Sequence, residues 1–308
     1  MTEQNKREDD MRGQILDGKA TALAVREGVA ERVAVLVEDG VTPGLAVVLV
    51  GEDPASEVYV RNKDKAASAA GISVQTRKLS AETTQQELEA VVQELNDDPS
   101  VHGILVQLPL PKALDEQRIV EAIDPAKDVD GLHPVNVAAL VQGAEGLVPC
   151  TPAGCIEILD RHEIGLQGKN VVVIGRSQLV GKPVAQLALA RHATVTICHS
   201  RTKDLAAEVR RADVIIAAVG WAKLVQGDWV QPGAAVLDVG INRGEDGKLV
   251  GDVDFDAASE NAAWITPVPG GVGPMTIAML LANTVTACAR QTGRVDKLNE
   301  VGMEATRS

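Results

Sequence analysis

The stretch Asn170-Val-Val-Val-Ile-Gly-Arg-Ser-Gln-Leu-Val-Gly-Lys-Pro183 passes from an unbroken β-branched run through a glycine-bounded turn into a helical pattern. A strand that is apolar on both faces belongs in a parallel sheet covered on each side. A strand-turn-helix corner presents free N–H groups and the positive end of a helix dipole, a ready seat for a pyrophosphate. The turn departs from the G-x-G-x-x-G fingerprint, because Ser177 and Val180 stand where the second and third glycines belong. Taken alone, Gly175 and Gly181 serve equally well in a purely structural corner.

Working outward, the pattern repeats. A helix over 181–191, a strand over 194–198, a helix over 204–211 and strands over 214–219 and 235–239 make a doubly wound, Rossmann-like series. Upstream lies a second α/β series. It has a helix over 19–39, a strand over 45–50, a helix from about 56, a strand over 73–79, a helix over 84–96 and a strand over 103–106. Two prolines around Cys150 and Thr151 make a stiff segment suited to a lobe boundary. The expected fold is therefore α/β with two lobes and a cleft between them. Residues 1–12 read as a solvated tail, with Met11 an alternative start. Residues 13–149 form the first lobe, completed by a C-terminal helix over about 275–308, and 150–274 form the dinucleotide-binding lobe.

Bulk properties narrow the function. The chain has 308 residues, 45% hydrophobic and 24% charged, enough for more than one core. One Tyr, one Phe and three Trp offer few stacking platforms, and a net charge of −13 repels phosphate backbones, so nucleic acid is excluded as a partner. The polar N-terminus lacks a signal peptide, and the apolar runs fall short of the ~20 residues of a membrane span. Cys150, Cys155, Cys198 and Cys288 match neither a zinc nor a disulfide framework and read as reduced thiols of a cytoplasmic protein. His102, His133, His162, His192 and His199 are scattered and read as structural, and no metal is called for.

An NAD site places an acidic residue at the end of the second strand of the dinucleotide-binding series. Here that strand runs into His199-Ser-Arg-Thr202. Ser200 and Arg201, with Arg176 on the first turn, suit the 2′-phosphate of NADP; the alternative is an exposed, solvated basic loop. Gly220 and Gly240-Ile241-Asn242 follow the later strands, beside the expected nicotinamide position.

In the first lobe Tyr59 and Lys63 rise from one helix face, four residues apart. A lysine short of full solvation near a reacting carbon moves protons, and a tyrosine offers a ring and a hydroxyl. A snorkelling surface pair has the same spacing. Gln107 ends an apolar strand, where ligands of open sheets gather, and Asp130 sits in the turn Asp128-Val-Asp-Gly131, as a ligand contact or as an Asx cap. The Gly/Pro-rich loop 266–276 is neither helix nor strand.

Five segments in order resemble the bifunctional methylenetetrahydrofolate dehydrogenase/methenyltetrahydrofolate cyclohydrolase family: Tyr59-Val-Arg-Asn-Lys63, Gly103-Ile-Leu-Val-Gln-Leu-Pro-Leu-Pro111, Lys127-Asp-Val-Asp-Gly-Leu132, Gly175-Arg-Ser with Val180-Gly-Lys-Pro183, and Pro267-Val-Pro-Gly-Gly-Val-Gly-Pro-Met-Thr276. The likeness spans about 15–290. It implies that Lys63 catalyses the cyclohydrolase step with support from Gln107. It also implies that Tyr59 stacks on the folate and that Asp130 hydrogen-bonds the pterin edge. The loop with Pro269, Gly270, Gly271, Pro274 and Thr276 would close over the substrate. Arg176, Ser177, Ser200 and Ile241 would contact NADP. The family further implies a homodimer, with the last helix packed on the first lobe, acting on tetrahydrofolate derivatives in one-carbon metabolism that feeds purine, methionine and histidine biosynthesis. Two other readings compete: a different NADP-linked oxidoreductase of the same plan, acting for example on a small hydroxy acid, and a catalytically dead folate- or nucleotide-binding module. Tyr59, Lys63, Gln107 and Asp130 fit folate, and none forms a His-carboxylate dehydrogenase pair.

Overall fold

A computed structural model describes residues 13–244 and 246–298. The expected tail over 1–12, the alternative start at Met11 and the last helix beyond 298 lie outside the described residues. In chain order the strands are β1 (Gln14–Ile15), β2 (Gly44–Val50), β3 (Ser73–Leu79), β4 (Gly103–Val106), β5 (Asn170–Ile174), β6 (Thr194–Cys198), β7 (Val214–Ala217), β8 (Ala235–Asp238), β9 (Asn242–Arg243), β10 (Leu249–Val250) and β11 (Trp264–Ile265). The helices are α1 (Gly18–Glu38), α2 (Pro54–Ala69), α3 (Gln85–Asp97), α4 (Glu116–Ala122), α5 (Pro134–Gln142), α6 (Cys150–Arg161), α7 (Gly181–Ala190), α8 (Leu205–Arg210), α9 (Phe255–Ser259) and α10 (Val272–Gln291). They group into two α/β units. Among the described residues one unit holds 23–150 and 277–298, and the other holds 13–22 and 151–276.

The first unit is built on a parallel sheet in the order β3-β2-β4. β2 is the middle strand, and all seven of its residues are buried, which is why its sequence is apolar without alternation. Its Ala46, Val48 and Val50 pack with Leu88, Val92 and Leu95 of α3 and Ile104 and Val106 of β4. Local signals start the helices. Thr84 and Glu87 form a reciprocal capping box ahead of α3, and the Asp53 side chain accepts from Ser56 N–H (2.8 Å), with Pro54 in the first turn of α2. That cap begins α2 two residues before the start suggested by periodicity. At the other end of α3, the buried Lys127 ammonium donates to the carbonyls of Leu95, Asn96 and Asp98 (3.3, 2.7 and 2.8 Å), satisfying acceptors that a helix end leaves open.

The second unit is a doubly wound, Rossmann-like parallel sheet in the order β1-β11-β8-β7-β5-β6. From β5 the chain adds β6 on one side and then β7 and β8 on the other, so strand order reverses between β5 and β7, the position where open α/β sheets take ligands. Its core joins Val172, Ile174, Ile215, Ala217, Val236 and Ile265.

Several elements depart from the sequence reading. The N-terminal segment, assigned by pattern to the first lobe, puts β1 beside β11 in the second sheet. Strands of two residues, β1, β11 and the antiparallel pair β9–β10, are too short to show a period. α4 and α5 also escape that reading, and the stiff segment near Pro152 is the first turn of α6. α10 starts at Val272 rather than after the Gly/Pro loop, because a proline in a helix's first turn removes only an N–H with no intrahelical acceptor. Among the described residues α10 is long and apolar enough to cross a membrane, yet 56% of its most apolar window is buried inside the protein, as in a core helix.

Candidate active site

In the first unit the structure brings Lys63, Gln107 and Asp130 together. Lys63 is 9% exposed, and its Nζ donates to Gln107 Oε1 (2.9 Å) from α2 to the carboxyl end of β4. The Gln107 amide is itself oriented, since its Nε2 donates to the Leu108 carbonyl (2.6 Å). Burial pushes the Lys63 amine below the ordinary lysine value of 10.5, and the charges of Asp130 and Asp64 partly restore it. Asp130 is partly buried, and desolvation raises its carboxyl above 3.8; the Lys63 ammonium and a hydrogen bond from Cys150 oppose that rise, and Asp128 adds to it. Tyr59 lies one turn before Lys63 and is 48% exposed, so its ring is open to a ligand.

The two aspartates of Asp128-Val-Asp-Gly131 divide their duties. Asp128 is the turn former: its Oδ2 accepts from His133 N–H (2.8 Å) and from Asn136 Nδ2 (2.9 Å). Asp130 acts on Lys63 through its charge. His133 is structural too, its Nδ1 accepting from Val135 N–H at the start of α5 (3.1 Å).

Two further residues of this cluster went unread in the sequence. The Cys150 thiol, which the sequence shows only as a reduced thiol, hydrogen-bonds Asp130 and donates to the Val129 carbonyl (3.3 Å), and burial raises it well above 9.0. Asn283 of α10 donates to the carbonyls of Val129 and Val148 (both 2.8 Å), fixing the backbone on either side of Asp130 and Cys150. Its only sequence signal is an amide inside an otherwise apolar helix. All four cysteines are free and buried.

In the second unit Gly175 ends β5 with φ +125°, a conformation L side chains rarely adopt, and a Cβ there would lie 2.2 Å from the Ala218 carbonyl oxygen. This is a backbone cradle that only glycine leaves open. The Ser177 Oγ accepts from the N–H groups of Val180 (3.1 Å) and Gly181 (3.4 Å), which shapes the turn and leaves the hydroxyl proton to donate outward. Arg176, Ser177, Ser200 and Arg201 are all exposed. Their loop is set by His199, whose N–H donates to Thr202 Oγ1 (2.9 Å) and whose Nδ1 accepts from Arg201 N–H (3.1 Å). Arg201 after β6 and Arg176 after β5, with no carboxylate in the segment His199-Ser-Arg-Thr202, fit a 2′-phosphate. Ile241 is 51% exposed after β8.

Pro269, Gly270, Gly271, Pro274 and Thr276 belong to the second unit by their contacts, not to that of Lys63. The Gly270 carbonyl accepts from Lys19 N–H (3.1 Å), Gly271 N–H donates to the Pro267 carbonyl (2.8 Å), and the hydroxyls of Thr276 and Thr151 share a hydrogen bond (2.9 Å).

Two family models match the chain: the NAD(P)-binding domain of tetrahydrofolate dehydrogenase/cyclohydrolase over residues 149–292, and the catalytic domain of the same family over 16–130. The chain belongs to the tetrahydrofolate dehydrogenase/cyclohydrolase family. It is 59% identical over 280 residues to the bifunctional protein FolD of Moorella thermoacetica, covering 91% of this chain and all of that one. The crystal structure of the bifunctional FolD enzyme of Campylobacter jejuni superposes with a TM-score of 0.88 at 50% identity, covering 90% of this chain and 99% of that one. The Trypanosoma brucei family member, solved with NADP and an inhibitor, gives a TM-score of 0.86 at 43% identity, covering 91% and 99%. These tetrahydrofolate dehydrogenase/cyclohydrolases match along nearly their whole length.

Proposed function

We propose that the chain oxidises 5,10-methylenetetrahydrofolate to the 5,10-methenyl form with NADP⁺ and hydrolyses the methenyl form to 10-formyltetrahydrofolate. The observation that carries this reading is a buried lysine amine, hydrogen-bonded to an oriented glutamine and under the charge of a partly buried aspartate, Asp130, in a chain of this family.

NADP⁺, when bound, supplies the acceptor for a hydride from the folate methylene carbon. Gly175, the turn over 175–181 and the Arg176, Ser200 and Arg201 side chains would hold it, and Ile241 would border the nicotinamide. In the hydrolytic step Lys63 acts as the base. Desolvation favours its neutral form, which takes a proton from the water attacking the methenyl carbon. The hydroxyl of the adduct then yields its proton as the C–N5 bond breaks, N5 is protonated, and one proton is released overall. Gln107 holds the amine in place, Asp130 hydrogen-bonds the pterin edge, and Tyr59 stacks on the ring system. The resemblance also supports a cytoplasmic homodimer whose one-carbon products serve purine, methionine and histidine biosynthesis.

The direct test is to mix the purified chain with 5,10-methylenetetrahydrofolate and NADP⁺ and to follow NADPH and the methenyl chromophore together. NADPH should accumulate one for one with 10-formyltetrahydrofolate; no NADPH would remove the reading.

Two variants probe its ends. With Lys63 as a neutral base, the hydrolysis rate should climb with pH along a limb centred below 10.5. Gln107→Glu sets a carboxylate against the amine, favours the ammonium and should move that limb to higher pH; a pH profile that stays in place argues against the base assignment. Arg201→Glu should raise the KM for NADP⁺ by about 10- to 100-fold while sparing NAD⁺, since a charge-assisted contact becomes a repulsion. An unchanged cofactor preference removes Arg201 from the phosphate site.

A further inference from the structure

Two buried carboxylates at the carboxyl ends of β7 and β8 take no part in the chemistry above. Asp252 is fully buried, and its Oδ2 accepts from the N–H groups of Val219 (2.6 Å) and Gly220 (3.0 Å). Its Oδ1 accepts from Trp221 N–H and from Asn242 Nδ2 (both 2.9 Å). Asp238, 3% exposed, accepts from the N–H groups of Gly240 and Asp252 through Oδ1 (both 2.9 Å) and of Val253 through Oδ2 (2.8 Å). Burial pushes Asp238 up to about 6. At neutral pH it is therefore chiefly the carboxylate, the form suited to accepting all three. The glycines are part of the device. A Cβ on Gly240 would lie 2.2 Å from Asp252 Oδ1, and one on Gly251 would lie 1.8 Å from Asp238 Oδ2.

The donors come from three loops, 219–221, 240–242 and 251–253. The first two leave the strand ends where a doubly wound sheet seats the nicotinamide half of its cofactor, and Ile241 stands between two of the tied residues. A carboxylate gathering backbone N–H groups fixes those groups in space, because each buried donor that loses its acceptor is costly.

We propose that Asp252, backed by Asp238, is a positioning residue for the dehydrogenase reaction, holding loops 219–221 and 240–242 in the setting that receives the nicotinamide and its ribose. This rests on the NADP-dependent reading above. The cyclohydrolase step needs no dinucleotide, so the two activities of one chain separate a cofactor-loop role from a general structural one.

Asp252→Asn keeps the shape but replaces one acceptor oxygen with an NH2 group that faces donors. The expected result is a rise of about 10-fold or more in both the KM and the Kd for NADP⁺, with methenyltetrahydrofolate hydrolysis within about 2-fold of the parent. If this variant does not fold, Asn242→Ala, which withdraws one of four donors, decides the matter: an NADP⁺ Kd raised about 3-fold at an unchanged hydrolysis rate supports the proposal. An unchanged NADP⁺ Kd in the folded variant, or a parallel fall of both activities, overturns it. A parent chain that forms no NADPH would instead overturn the functional reading itself.

Discussion

Lys63→Met is expected to reduce methenyltetrahydrofolate hydrolysis by roughly 100- to 10,000-fold, the range of a positioned acid-base group. Methionine keeps the unbranched reach of the lysine and removes only the amine. The desolvation cost of the amine is removed, but its partners lose the donor and the charge they face, so the variant should melt somewhat below the parent. Two neighbours should register the loss. Gln107 Oε1 is left without its 2.9 Å donor, and Asp130 loses the charge that lowers its carboxyl, which then moves further above 3.8. NADP⁺ affinity should be unchanged, because the residues assigned to the cofactor lie in the other unit. Hydrolysis measured from preformed methenyl substrate checks this; turnover near the parent rate would end the case for the lysine.

Gly175→Ala should act on the other activity. The substitution forces a side chain into φ +125° and drives its Cβ to 2.2 Å from the Ala218 carbonyl oxygen. Backbone strain of this kind costs about 1–3 kcal/mol, and the clash adds to it. Neither side can yield cheaply. Gly175 N–H is bonded to the Cys198 carbonyl (2.9 Å), and Ala218 N–H to the Ile174 carbonyl (2.8 Å), so a shift at the turn breaks the sheet beside it. The expected outcome is a lowered unfolding midpoint and NADP⁺ binding weakened by at least about 10-fold, with methenyl hydrolysis largely kept. Isothermal titration with NADP⁺ and a thermal melt measure both, and parent-like values in each would show that the turn has room to spare.

How far the fold could be read depended on the length of each element and on what it touches. β5 and β6 were legible to the residue, because Asn170–Ile174 and Thr194–Cys198 are bounded by turn residues. β1 and β11 have no period to read, and their pairing is a long-range fact. In the candidate site, Lys63, Gln107 and Asp130 stand at positions that a motif can mark. Asn283 and Asp252 act on backbone groups far away in sequence, Asn283 reaching Val148 and Asp252 reaching Val219, so nothing local betrays them. Cys150 was visible as a reduced thiol, but its partners Asp130 and Val129 were not.

Neither unit is a continuous piece of chain, and this constrains how the protein can be made. Asn283 holds the carbonyls of Val129 and Val148, Gln291 holds those of His102 and Ala126, and Arg294 pairs with Asp39. A nascent polypeptide therefore carries Lys63 and Asp130 through most of translation before the segment that fastens their surroundings has left the ribosome. A gene cut near codon 150 would encode two fragments, each missing a part held by the other.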